Sequence, residues 1–272
     1  MDRRALLGGA LGVSVLAATG GAAARESSFD DLLAELESDP ELVENAWTRR
    51  ERQATRSVGQ GTPSSRLISS RASDMIVRLE VSSQRRYERY YTRPIWPGGQ
   101  SGVTIGIGYD LRFANENFLL RDWGELLSAE MIDTLKSVLG LGRTDARDAL
   151  PSVQSVEVPW APALSQFAAF LPYPTKETED AFPNCADLND DSFGALVSLV
   201  YNRGSSMAPN SERRREMREI RDLMRNKDFA PIPDKIREMK RIWTDPGSRG
   251  LVLRRELEAV LFEDGLAKQA TE

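Results

Sequence analysis

The sequence predicts an α+β protein with a mostly helical body and one small β-hairpin or sheet near the front of its main domain. Two observations support this prediction. Apolar residues recur at helical spacing in several segments, most clearly in the second half of the chain. The stretch "SGVTIGIGYDL" (101–111) instead alternates apolar with polar or small residues, which is typical of a strand, and the turn-forming stretch "WPGGQSG" (96–102) leads into it.

The composition limits the chemistry that the chain can perform. Its 272 residues carry a formal charge of -5 and include no histidine. This absence excludes Ser-His-Asp and Cys-His nucleophilic sites and His-ligated zinc. The single cysteine, Cys185, excludes internal disulfides and Cys-cluster metal sites. Proton transfer therefore falls to Asp and Glu, no metal or cofactor is expected, and the acidic balance predicts no nucleic-acid partner.

The first 24 residues, "MDRRALLGGALGVSVLAATGGAAA", predict an export signal that is not part of the fold. Arg3 and Arg4 resemble a twin-arginine start, and three alanines offer a small-residue cleavage site. An uncleaved membrane anchor is the alternative, which the glycines and weak hydrophobicity disfavour. We expect an exported protein, periplasmic or secreted, with no stable membrane insertion after signal removal.

Residues 25–66 predict a helical segment followed by a polar linker. Within 28–53, Pro40 separates one or two short helices, and the stretch "ATRSVGQGTPSSR" (54–66) has the composition of a linker. The main domain is therefore expected to span 67–272. The first predicted helix places four apolar residues on one face: Phe29, Leu32, Leu33 and Leu36.

The main domain is predicted to be built largely of helices. The first, "SSRASDMIVRLEVSS" (69–83), carries Glu80 at its C-terminal end, and another starts at Ser128 and stops at Gly140. The clearest buried helix is "DDSFGALVSLVYNRG" (190–204), followed by an amphipathic helix over 210–228. Two more are expected, one around Ile236 and a last one over 250–262. The segment 140–190 yields no assignment.

The strand offers one polar face with little steric bulk. Because strand side chains alternate, Thr104 and Asp110 share a face on which Gly106 and Gly108 leave the backbone open to a polysaccharide strand. A straight strand would separate Thr104 from Asp110 by roughly 20 Å. We therefore predict that the glycines bend the strand and bring Asp110 back towards Thr104. The opposite, apolar face is expected to pack inward: Val103, Ile105, Ile107 and Tyr109.

Glu80 is the best-placed second carboxyl, because it ends an apolar helix face just before the strand. Glycoside hydrolysis uses one acid to protonate the leaving oxygen and a second group to direct water or attack the sugar. A carboxyl half-buried beside apolar groups has its ionised form disfavoured, which suits a general acid. The alternative for Glu80 is an exposed acid at a helix end.

Glu80 followed by "WPGGQSGVTIGIGYDL" resembles the phage-type lysozymes of glycoside hydrolase family 24, in particular their bacterial, pesticin-like branch. Glu80 matches the family's helix-end Glu, and Thr104 matches the Thr of its "TIGxG" strand. The phage-type Asp that precedes this Thr is missing, since Glu88 is the only acid in between. Asp110 instead matches the pesticin-like Asp that follows the strand, and Tyr109 replaces the usual histidine.

The resemblance covers roughly residues 70–265. The stretch "ALVSLVYNRG" (195–204) is similar to the family's central buried helix, with Asn202 and Gly204 in the motif positions. The stretch "RGLVLRRELEAVLF" (249–262) is similar to its closing helix. The fold implied is lysozyme-like, with the small hairpin lining an active-site cleft.

The resemblance implies a muramidase that cuts the glycan strands of peptidoglycan. Glu80 would be the general acid, Asp110 would position or deprotonate the attacking water, and Thr104 would hold that water. This implies inversion, with the two carboxyls roughly 6.5–9.5 Å apart. The alternatives are a non-catalytic, peptidoglycan-binding protein of the same fold and a secreted antibacterial toxin.

Further residues are candidates for substrate binding. Trp96 and Tyr91 flank the expected cleft and could stack on sugar rings, although packing is a comparable explanation. Asn202 could bind an acetamido group or cap its helix before Gly204. The arginine-rich run within 213–225 is predicted to be a solvated helix face, with contact to an anionic cell-wall polymer as the alternative. Arg254 and Arg255, which follow in the last helix, are expected to bridge helices.

Overall fold

The computed structural model describes residues 28–47 and 61–271. Within these ranges the protein is mostly helical and has one two-stranded antiparallel sheet, which confirms the α+β class. None of the helices in this described part is both long and apolar enough to cross a membrane. The predicted export signal and most of the predicted linker lie outside the described residues.

The described part of the chain contains thirteen α-helices and two strands. The elements are α1 (Phe29–Ser38), α2 (Glu41–Trp47), α3 (Ser70–Val81), α4 (Gln84–Tyr90), β1 (Thr104–Ile105), β2 (Tyr109–Asp110), α5 (Glu116–Trp123), α6 (Ala129–Lys136), α7 (Arg143–Ala149), α8 (Trp160–Phe170), α9 (Pro172–Ala181), α10 (Asp190–Arg203), α11 (Arg215–Arg225), α12 (Ile232–Glu238) and α13 (Arg249–Gln269).

The N-terminal helices pack on the same core as the rest of the protein. Ser28 begins α1 through a capping box with Asp31, and the break expected at Pro40 separates α1 from α2. Both helices contact α13 and α3. Leu42 and Val43 of α2 are buried, as are the four apolar residues predicted for the face of α1: Phe29, Leu32, Leu33 and Leu36.

Helix α10 forms the centre of the helical body, as the sequence predicts. Asn189 caps its start, nearly all of its residues are buried, and Gly204 with a φ of +74° ends it. It packs chiefly against α13 and also against α3 and α9. Helix α13 extends to Gln269, well beyond the predicted end at 262.

Three helices, α7, α8 and α9, lie in the segment 140–190, for which the sequence yields no assignment. Pro172 occupies the first turn of α9, where the missing N–H costs no hydrogen bond, so the proline marks a helix start and not a break. The helix predicted after Ser128 is present as α6, but it ends at Lys136, and a turn leads to Gly140.

The predicted strand is a hairpin. β1 and β2 pair antiparallel with Thr104 opposite Asp110 and Ile105 opposite Tyr109, and Ile95 forms an additional bridge to Thr104. The predicted bend is therefore confirmed. The inward packing of the apolar positions is also confirmed, since all four are buried: Val103, Ile105, Ile107 and Tyr109.

Candidate active site

Thr104 and Asp110 are direct cross-strand neighbours. The N–H and C=O of Thr104 both bond to Ile95, on the side of the strand away from Asp110. The N–H of Leu111 bonds to the C=O of Val103. Thr104 and Asp110 are therefore a non-hydrogen-bonded pair of the antiparallel ladder. Residues in such a pair have Cα atoms about 4.5 Å apart and side chains on the same face. The glycine turn thus brings together two residues that a straight strand would hold far apart.

The hairpin turn requires glycine for two reasons. Gly106 has a φ of +56° and Gly108 a φ of +76°, a region that other L-residues rarely adopt. A Cβ atom on Gly108 would also lie 2.7 Å from Oε2 of Glu80. One on Gly106 would lie 2.6 Å from the ring of Trp123. The absence of a side chain at Gly108 therefore lets the Glu80 carboxyl approach the hairpin backbone.

Glu80 lies in the last turn of α3 and is only 1% exposed. Its Oε1 atom accepts a hydrogen bond from Nη1 of Arg254 at 3.2 Å, in an ion pair that is buried on both sides. The expectation of a half-buried carboxyl beside apolar groups is therefore wrong, because the side chain is almost fully buried and faces a guanidinium.

Arg254 forms ion pairs with two carboxylates, Glu80 and Glu258. Its Nε atom lies 3.1 Å from Glu258, and its Nη2 atom donates to the carbonyl and the hydroxyl of Ser198, each at 3.1 Å. Burial lowers the pKa of Arg254, and Glu258 counteracts this effect. Protonation of Glu80 would therefore leave Arg254 still paired with Glu258.

Arg255 extends this network to Asn202. Its Nη2 atom donates to Oδ1 of Asn202 at 3.1 Å and to Glu258 at 3.0 Å. Burial lowers the pKa of Arg255 to about 9, against the attraction of Glu258. Both arginines thus bridge α13 to neighbouring helices, as expected. The Asn202 side-chain oxygen pairs with an arginine, while the N–H of Gly204 bonds to the carbonyl of Val200.

Asp110 has a structural task that the sequence does not reveal. Its Oδ1 atom accepts hydrogen bonds from the backbone N–H groups of Gly102 and Arg112, each at 3.0 Å. The side chain is 7% exposed and caps the short 3-10 turn Leu111–Phe113. It therefore ties the entry of the hairpin to its exit.

A small cavity lies where the end of α3, the 91–97 segment and the hairpin meet. Its volume is about 20 Å³, enough for one water molecule. Asp110 lines a neighbouring cavity together with Gln166, Phe170 and Tyr201. The structure therefore brings Glu80 and Thr104 to one cavity and Asp110 to the next. The first cavity is lined by Trp47, Glu80, Val81, Tyr91, Ile95, Pro97, Thr104, Gly106 and Gly108.

The two predicted aromatic residues differ in position. Tyr91 lines the cavity beside Glu80, and its hydroxyl donates to Glu44 of α2 at 2.5 Å. Burial, aided by Glu44, raises the pKa of this hydroxyl. Trp96 is half-buried, and its indole N–H donates to the carbonyl of Ser101 at 3.1 Å, which holds the 96–101 turn. Its contact is structural, so packing explains Trp96 better than stacking on a sugar.

Sequence reasoning missed two residues of the site. Trp47 lines the cavity from α2, within the segment assigned to the helical extension. Arg254 pairs with Glu80, although the sequence suggested only a bridge between helices. The spacing of Arg254 and Glu258 by four residues within α13 was an available sign of an ion pair.

No family model and no curated protein matches the chain. Among residues 28–47 and 61–271, no group of three or more His, Cys, Asp or Glu side chains is placed to hold a metal ion.

Proposed function

We propose that the protein is an exported muramidase, a glycoside hydrolase that cleaves the glycan strands of cell-wall peptidoglycan. The observation that carries this proposal is the shared cavity of Glu80 and Thr104, with Asp110 as the cross-strand neighbour of Thr104. A helix that ends in a buried acid, a glycine-turned hairpin and a buried central helix support a lysozyme-like arrangement. The segment 1–24 would direct the chain to this substrate.

In the proposed reaction, Glu80 donates its proton to the glycosidic oxygen while the bond from that oxygen to the anomeric carbon breaks. A water held by Thr104 forms the new bond to the anomeric carbon and gives its proton to Asp110. Two carboxyls in these roles are the general requirement of inverting glycosidases. The two backbone N–H groups that bond to Asp110 hold this carboxyl in place beside Thr104.

Arg254 supports this chemistry as a positioning residue. It holds the Glu80 carboxyl against the hairpin, where a Cβ atom on Gly108 would collide with it. Because Arg254 keeps Glu258 as a partner, Glu80 can take up a proton without leaving the guanidinium unpaired. The burial of the network excludes bulk water from this side of the carboxyl.

The proposal is tested by digesting purified peptidoglycan with the mature chain and its Glu80→Gln, Thr104→Val and Asp110→Asn variants. We expect the Glu80→Gln and Asp110→Asn variants to lose at least about 100-fold in rate, the usual contribution of general acid–base catalysis. Mass spectrometry of the products identifies new reducing ends for a hydrolase and anhydro ends for a lytic transglycosylase.

The matched control is Asp191→Asn, an equally small change at a buried acid. Asp191 pairs with Arg71 and Lys268 outside the site, so this variant should lose stability and keep its rate. Full activity of Glu80→Gln would refute the proposed acid. An Asp110→Asn variant that is less stable but fully active would show that Asp110 has only a structural role. Binding of peptidoglycan without cleavage by the unmodified chain would favour a non-catalytic binding protein.

A further inference from the structure

Trp47 of α2 lines the cavity that Glu80 and Thr104 share. The indole N–H of Trp47, the last residue of α2, donates to the main-chain carbonyl of Glu80 at 3.1 Å. The Trp47 ring meets the ring of Tyr91 edge-on, with centroids 5.2 Å apart. Trp47 therefore contacts both the helix that carries the acid and an aromatic wall of the cavity.

Glu44 also joins α2 to the rim of the cavity, through Tyr91 and Arg86. Its Oε1 atom accepts the hydroxyl of Tyr91 at 2.5 Å and also pairs with the guanidinium of Arg86. Arg86 and Glu44 are both partly exposed in this pair. Trp47 and Glu44 thus form a latch that joins α2 to the rim of the site, and the latch lies partly in solvent.

A second small cavity, of about 10 Å³, lies beneath α2. Asn202 and Arg254 line it from the body of the protein, while Ala46 and Trp47 line it from α2. Trp47 borders both cavities. The ion pair between Glu80 and Arg254 connects the two cavities, because Glu80 lines the first and Arg254 the second.

The volumes of the two cavities limit which molecules can enter them. Spaces of about 20 and 10 Å³ admit about one water molecule each, and a sugar ring of a dozen heavy atoms fits in neither. Under the proposed hydrolysis, the glycan must reach Glu80 and Thr104. Glu80, Val81 and the hairpin carry the site itself, and the 91–97 segment is tied to the hairpin by the two backbone hydrogen bonds between Ile95 and Thr104. The remaining wall is Trp47 of α2, so α2 is the cover that can move.

We infer that α2 is an intramolecular cap that fills the substrate groove, and that its release opens one continuous groove from Thr104 past Glu80 to Asn202. This inference rests on the proposed function and adds its regulation. The opened groove would present a carboxyl, a hydroxyl and a side-chain amide in one row, which suits an N-acetylated glycan strand. Trp47 is the main latch in this arrangement.

The division of contacts within α1 and α2 indicates which part moves. Leu36 and Leu42 are buried in the common core, and a Cβ atom on Gly250 would lie 1.8 Å from the carbonyl oxygen of Leu42. This close backbone approach anchors the start of α2 on α13. Trp47 and Glu44, at the other end, are only partly buried. The C-terminal end of α2 therefore lifts while α1 stays docked.

The test compares peptidoglycan cleavage by the unmodified mature chain with that of Trp47→Ala and Glu44→Gln. We expect each variant to cleave about five to ten times faster, because loss of one hydrogen bond or ring contact shifts the cap equilibrium by about 1 kcal/mol. Glu44→Gln serves as the second variant should Trp47→Ala fail to fold. The matched control is Trp160→Ala, which removes an indole whose ring lies edge-on to Tyr87 at 5.3 Å, away from the cavity. This control should leave the rate unchanged.

Hydrogen exchange of the Glu80→Gln variant provides a readout that needs no activity. With soluble peptidoglycan fragments bound, the amides of 41–47 should exchange faster, while those of α10 should not. Unchanged exchange in 41–47 would contradict the cap.

A Trp47→Ala variant that cleaves more slowly and binds fragments more weakly would also contradict the cap, because Trp47 would then be a sugar-binding surface. Loss of activity in Glu80→Gln together with unchanged rates in both latch variants would reject the cap and retain the hydrolase. An unmodified chain and latch variants that all fail to cleave would reject the hydrolase instead.

Discussion

Nη1 of Arg254 lies 3.2 Å from Oε1 of Glu80, and both side chains are almost fully buried. This contact joins α13, near the end of the chain, to the last turn of α3. Arg254 also reaches Glu258 and Ser198. The candidate acid is therefore held by the helical core of the protein, and its position depends on packing that lies far away in sequence.

Replacing Arg254 by alanine should lower the free energy of unfolding by about 3–5 kcal/mol, the usual cost of removing one partner from a buried ion pair. The change leaves the Glu80 carboxylate buried without its guanidinium partner. Urea unfolding followed by circular dichroism measures the loss. Glu80→Gln should cost less, because Arg254 keeps Glu258. Equal stability of Arg254→Ala and the unmodified protein would contradict the importance of this pair.

Gly108 and Gly140 provide a matched pair of substitutions. Both have a φ of +76°, but a Cβ atom on Gly108 would lie 2.7 Å from Glu80 Oε2, whereas nothing lies within 4 Å of one on Gly140. Gly140→Ala should therefore cost only the strain of the left-handed conformation, about 1–2 kcal/mol, and keep peptidoglycan cleavage. Gly108→Ala should cost more and lose cleavage, because the methyl group displaces the carboxyl. Similar stability and activity in the two variants would argue against the close fit of Glu80 to the hairpin.

The hairpin and the buried central helix could be predicted because their signals are local. The glycines of "TIGIGYD" specify a bend within seven residues, and the apolar run of α10 with Gly204 at its end specifies a buried helix. Both predictions depend on residues that are neighbours in sequence, and the structure confirms both.

The cover over the site could not be predicted in the same way. Trp47 and Glu80 are 33 positions apart and meet only because α2 packs on the common core. The pairing of Glu80 with Arg254 spans 174 positions. Contacts of this kind depend on the packing of whole helices, which periodicity and capping signals do not specify. The backbone hydrogen bonds of Asp110 likewise arise only once the hairpin has formed.

Cys185 should be almost inert in the folded protein. It is 6% exposed, and burial raises the pKa of its thiol to about 12, an effect that nearby Arg66 weakens. Because only the thiolate reacts, a rise from 9 to about 12 lowers the reactive fraction at pH 8 about a thousandfold. Alkylation by iodoacetamide, followed by intact mass, should be slow in buffer and fast in urea. A Cys185→Ser/Ser155→Cys control carries an exposed thiol and should react quickly in buffer. Fast labelling of Cys185 under native conditions would contradict its burial.

Glu216 should make the protein sensitive to acid. Its carboxylate is fully buried and pairs with Arg241 at 2.5 Å and with Arg215 at 3.0 Å. Burial alone would raise its pKa, but the hydrogen bond from Arg241 and the other charges outweigh burial and hold the pKa below its usual 4.5. Below pH 4.5 the unfolded chain therefore binds a proton that the folded protein does not. Stability contributed by this group is present above pH 4.5 and is lost as the pH falls through the lowered value.

Urea unfolding between pH 7 and pH 3 tests this dependence. The unmodified protein should lose stability steadily below pH 4.5. Glu216→Gln should be less stable at pH 7 but lose less on acidification, because its amide cannot take up the proton. Part of the dependence of the unfolding free energy on pH should persist in this variant. Asp191 and Glu256 also have lowered pKa values, each held down by charged partners against the effect of burial. The control Glu125→Gln changes an exposed acid and should retain the full slope. An identical slope in Glu216→Gln and the unmodified protein would show that the ion pair with Arg241 does not control acid unfolding.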